Sequence, residues 1–128
     1  MKMSADISSQ RVWFGLFSGD PMASDLPVLH IAAFRYSTAA GDVNWQAVTG
    51  GGAAAVTDTG IAVVADTIYV LKMQVNITTV FFYINDVLVA TRTTSLPTST
   101  TPLRWILAIR NLVAVSRSIR NSKVTMIQ

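Results

Sequence analysis

The chain has 128 residues, 51% of them hydrophobic and only 13% charged, with a formal charge of +3 at pH 7, seven aspartates, no glutamate and no cysteine. One domain of this size removes roughly two thirds of its unfolded surface from water, and without cysteine there is no disulfide framework, cysteine-ligated zinc or thiol nucleophile. Every apolar run stops short of the roughly 18 residues of a membrane helix, and the basic residues form neither a run nor an aromatic-interleaved motif, so neither membrane nor nucleic acid is an expected partner.

Residues 1–10 are polar and unpatterned, which predicts a flexible arm ahead of one domain at 11–128; the start also lacks the apolar stretch of a signal peptide. Arg11 to Phe17 is the first predicted strand. The loop from Ser18 to Pro27 holds Asp20 and Asp25, which with backbone carbonyls make a candidate Ca²⁺ site; sparse carboxylates favour a plain turn-rich loop instead. Val28 to Tyr36 is the second strand. It carries His30, the only histidine, with no second ligand or catalytic partner beside it in the sequence. Val43 to Thr49 is a short strand containing Trp45, followed by Gly50-Gly51-Gly52 and three alanines, which read as a flexible hairpin tip and lack the Gly-Lys-Ser/Thr ending of a phosphate loop. Val56 to Val64 continues as a strand.

The organising stretch is Thr67 to Thr94, three consecutive antiparallel strands. Thr79–Ile84 and Val87–Thr91 are β-branched and aromatic runs separated only by Asn85-Asp86, residues that tolerate the positive φ of a type I′ turn. That turn predicts Ile84 opposite Val87, Tyr83 opposite Leu88, Phe82 opposite Val89 and Phe81 opposite Ala90. Apolar residues on both faces predict cover on both sides. Leu103 to Arg110 follows as a mostly apolar, central strand, and Val113–Arg120 with Lys123–Ile127 close the chain as short strands. The sum is about eight or nine strands with little or no helix, an all-β antiparallel β-sandwich of jelly-roll type.

The order and spacing of several landmarks carry a resemblance: the strand ending Gly15-Leu16-Phe17, Phe34-Arg35-Tyr36, Asn44-Trp45-Gln46-Ala47-Val48, Asp58-Thr59-Gly60-Ile61, and the hairpin Val80–Ala90. From Arg11 onward the chain resembles the concanavalin A-like (laminin-G and lectin type) jelly-roll family, especially modules of bacteriophage and other viral structural proteins. That family usually has further strands before the one at Arg11. A sandwich without them exposes a sheet edge and apolar face, which predicts a homo-oligomer, dimer or trimer, joined through a sheet edge or an apolar face.

The resemblance implies a non-enzymatic structural or assembly module, a virion decoration, fibre or tail component acting through protein contacts. The alternative is a lectin-like carbohydrate-binding module. Its aromatic faces would stack on sugar rings, with Trp45 as the expected accessible tryptophan and Asn44 and Tyr36 beside it. A glycoside hydrolase of this fold is not expected, because the glutamates such enzymes use are absent and the aspartates sit singly.

Overall fold

The computed structural model describes residues 1–98 and 100–112, and the two predicted strands beyond Leu112 lie outside them. Among the described residues are eight strands: β1 (Gln10–Phe17), β2 (Leu29–Ser37), β3 (Asn44–Gly52), β4 (Ala54–Ala62), β5 (Leu71–Val75), β6 (Val80–Ile84), β7 (Val87–Arg92) and β8 (Arg104–Asn111). They form two antiparallel sheets, one of order β4-β3-β2-β1-β8 and one of order β5-β6-β7. This is the expected all-β sandwich. The only helical element described is a single 3-10 turn at Thr38–Ala40, and no described helix is long and apolar enough to cross a membrane. The chain changes sheet twice, after β4 and after β7. Strand β8, expected to be central, lies at the end of its sheet among the described residues.

The alternation of side chains explains why β1 to β3 are apolar on both faces. Val12, Phe14, Phe34, Tyr36, Trp45 and Ala47 point between the sheets, where they meet Met73, Val80, Phe82, Ile84 and Ala90. Phe34 sits at the middle of this layer, edge-on to Phe82 at 5.2 Å and to Trp45 at 6.4 Å. On the other side of the large sheet Trp13, Phe17, Ile31, Ala33 and Val48 form a second buried cluster. The loop from Ser18 to Val28 is tied to this side. Arg11 donates to the Asp25 carboxylate (2.6 Å) and the Met22 carbonyl (2.8 Å), Arg35 donates to the Asp25 carbonyl, and the Trp13 indole N–H reaches the Ser24 carbonyl. Arg35 also forms a two-pronged pair with Asp42 at 2.8 Å on each arm, both side chains almost fully buried.

Four further expectations are corrected. Residues 1–10 are not a loose arm: Met3 is buried in the main core, the Met3 amide donates to the Thr67 carbonyl, and the Tyr69 amide donates to the Met1 carbonyl. Gln10 is fully buried, and Tyr36 gives its hydroxyl proton to the Ile7 carbonyl. The domain therefore includes this segment, which is tied down by its pairing with Thr67 and Tyr69.

The Asn85-Asp86 turn has the expected positive φ values, 51° and 65°, and Ile84 and Tyr83 face Val87 and Leu88. Beyond them a bulge leaves Val89 without a partner, so that Phe82 faces Ala90 and Phe81 faces Thr91. Ala90 is thereby buried in the core opposite Phe82, with Val89 partly buried against the same core.

Gly50, Gly51 and Gly52 are no flexible tip but the end of β3, paired with Ile31, His30 and Leu29. A Cβ on Gly51 would lie 2.6 Å from the Leu96 carbonyl oxygen. The glycine makes room for the β7–β8 connection to cross.

The fourth correction concerns the small sheet. Its inner face is buried, as in Val80, Phe82 and Ile84, but its outer face is not covered by described residues.

Candidate binding face

The residues expected to bind a sugar do not form an accessible surface. Trp45 is wholly buried, ringed by Phe34, Tyr36 and Tyr69 at 6.4, 6.3 and 5.6 Å. It begins β3, whereas the glycines end it roughly 17 Å away at strand rise, so nearness to the Gly-rich tract in sequence did not mean nearness to an exposed tip. Tyr36 is buried as well. Asn44 gives its side-chain amide to Asp58 at 3.0 Å, and Asp58 also accepts from the Gly60 amide at 2.6 Å and from Gln46. The Gly60 amide, with Asn44, holds the Asp58 carboxyl below its ordinary range.

The two loop aspartates are engaged otherwise than in a cation site. Asp20 accepts from the Met22 amide at 2.9 Å, and Asp25 from the Arg11 guanidinium. Burial pushes the Asp25 carboxyl up, but the Arg11 hydrogen bond and the charges of Arg11 and Arg35 outweigh it and leave the group net below the usual carboxylate range. No group of three or more His, Cys, Asp or Glu side chains lies together among the described residues. Arg11 takes the Asp25 carboxylate that the sequence offered to calcium, and no arginine contact is seen at Asp20 among the described residues. His30 accepts a hydrogen bond at Nδ1 from the Thr98 amide, a structural use.

The surface that stands out is the outer face of β5-β6-β7. Its cross-strand rows are Lys72–Tyr83–Leu88 and Gln74–Phe81–Thr91. Tyr83 and Phe81 are half-buried, and Leu88 is about half exposed at 49%. Val70 at 53% and Ile68 at 59% extend the apolar surface along the chain before β5. Val70 is fixed there by both of its backbone groups. Its N–H donates to Asn85 Oδ1 and its carbonyl accepts from the Asn85 amide.

The charges on this surface come in opposite pairs. Lys72 Nζ lies 3.1 Å from Asp86 and 4.7 Å from the centre of the Tyr83 ring, and Lys2 Nζ lies 3.6 Å from Asp66. The patch is thus apolar and electrically neutral within a chain of net charge +3. The sequence held the signal: the hairpin is apolar on both faces, and one sandwich core accounts for one of them.

No family model, curated protein or solved structure matches this chain. The geometry therefore supports a β-sandwich with an exposed apolar sheet face, and no named family.

Proposed function

We propose that the chain is a non-enzymatic structural or assembly module whose outer β5-β6-β7 face packs against the same face of a second copy. The observation that carries this is the exposed group Ile68, Val70 and Leu88 around Tyr83. Monomers seldom leave such a contiguous apolar patch in water. A two-fold interface needs a surface complementary to itself. Lys72 with Asp86, and Lys2 with Asp66, supply both signs on one surface, so two copies meet without net repulsion. That the assembly is part of a phage or viral particle rests on the resemblance to concanavalin A-like modules of such particles. A glycan-binding reading would now rest on Tyr83 and Phe81, and Lys72 already lies over the Tyr83 ring that a sugar would need.

The test is molar mass by light scattering across a concentration series. The native chain should exceed its 13.8 kDa monomer mass, and Leu88→Asp should lower the mass while core tryptophan fluorescence stays native. A native chain that is monomeric at micromolar concentration, or a Leu88→Asp mass equal to the native one, would overturn the proposal.

A further inference from the structure

Natural sheets protect their edges with lysine, arginine, proline, bulges or covering segments, because an unguarded edge offers its free N–H and C=O groups to another strand. The described strands at the ends of the two sheets follow this rule with one exception. β5 carries Lys72 and is preceded by the pairing of Lys2 with Ile68. β7 carries Arg92 and the bulge at Val89, and β8 carries Arg104 and Arg110. β4, at nine residues, has no lysine, arginine or proline.

Its second half is nevertheless closed. The Gly60 amide is taken by Asp58 Oδ1, the Ile61 amide by Thr59 Oγ1, and Gly60 has φ +75°, so the chain curls away from a flat edge. Among the described residues, the part left straight and without a charged residue of its own is Ala54-Ala55-Val56-Thr57; the Thr57 hydroxyl, which shares the inner face with Ala47, accepts from Arg92 of β7.

We infer that this four-residue edge pairs antiparallel with the same edge of a second copy, joining two five-stranded sheets into one of ten strands. The inference deepens the assembly reading by giving the module a second, separate self-interface.

The sequence of the edge favours a copy of itself as the occupant. With the two-fold axis at Val56, Val56 faces its own equivalent and Ala55 faces Thr57 of the other copy. Asp58, the only charge on the strand, then faces Ala54 rather than its own equivalent, so no like charges oppose each other. Small side chains let the two backbones approach to strand spacing, roughly 4.8 Å.

The experiment compares molar masses of the native chain, Val56→Lys, Leu88→Asp and the double variant, with hydrogen exchange of the native chain at two concentrations as a readout that needs no substitution. Val56 is partly exposed at 38%, so the lysine is accommodated by the fold. With both interfaces present the native mass exceeds a dimer. Val56→Lys leaves a dimer through the outer face, Leu88→Asp leaves a dimer through the β4 edge, and the double variant is a monomer. Exchange at Ala54 to Thr57 slows as concentration rises. If Leu88→Asp is a monomer, or if exchange at these amides does not change with concentration, the edge inference is overturned while the outer-face reading stands. If Val56→Lys is the monomer and Leu88→Asp the dimer, the outer-face reading fails and the edge inference stands.

Discussion

Asp25 shows how one side chain holds a loop against a sheet. Its carboxylate takes the Arg11 guanidinium and its carbonyl takes Arg35, across the top of the buried Trp13. Because its folded pKa is lowered, the group stabilises the fold fully above the unfolded value of about 3.9 and loses that contribution as pH falls through the lower folded value. Asp25→Asn should cost about 1–3 kcal/mol at neutral pH, the range for losing a charge-assisted hydrogen bond to a largely buried partner. Urea unfolding measured from pH 7 downward should then show a shallower loss of stability with acid in the variant than in the native chain. An unchanged pH dependence would mean that Asp25 does not hold the loop. None of this was visible in the sequence, where Asp25 looked like one more loop carboxylate, because its partners come from strands 14 and 10 residues away.

At the scale of elements, the hairpin of β6 and β7 is where local chemistry decides most. Asn85 sits at φ +51° and its Oδ1 accepts from the Val70 amide. Asn85→Ala should therefore destabilise by about 2 kcal/mol, combining roughly 1–2 kcal/mol for a left-handed alanine with about 1 kcal/mol for the lost hydrogen bond, as read from the denaturation midpoint.

This turn was legible from its two residues, since both tolerate positive φ and the flanking runs alternate in the strand period. So were β1, β2 and β4, within a residue or two at each end. Registry past Leu88 was not legible, because a two-residue turn fixes the pairing next to it but carries no signal for an extra residue inserted further along the strand at Val89. The pairing of Met1 and Met3 with Tyr69 and Thr67 was hidden for the same reason: nothing local announces a partner more than sixty residues on. The candidate face was half legible. Two apolar faces on one hairpin were read as double cover, whereas the described residues cover only the inner one.

For the whole molecule, the two sheets are held in place not only by the apolar layer between them. Arg92 of β7 donates to Thr49 and Thr57 of the large sheet, and the Thr49 hydroxyl donates to the Thr94 carbonyl. Just beyond, Leu96 passes over Gly51 so closely that a single methyl group would meet its carbonyl. Gly51→Ala should cost about 1–3 kcal/mol by overpacking. Gly41→Ala meets no atom within 4 Å and carries only the strain of φ +79°, roughly 1–2 kcal/mol. Thermal melts in which Gly41→Ala is clearly the more damaging would show that this crossing yields without strain.

The return of β8 to β1 also sets a clock. Strands β1 to β4 and β5 to β7 are each local meanders, able to form soon after their residues leave the ribosome. Gln10, however, must wait for Asn111, and closing so long a loop is the slow step that non-local pairing imposes. Through most of synthesis β1 is therefore itself an open edge, and a nascent chain halted before residue 104 would hold Arg11 to Phe17 ready to pair with whatever strand arrives first.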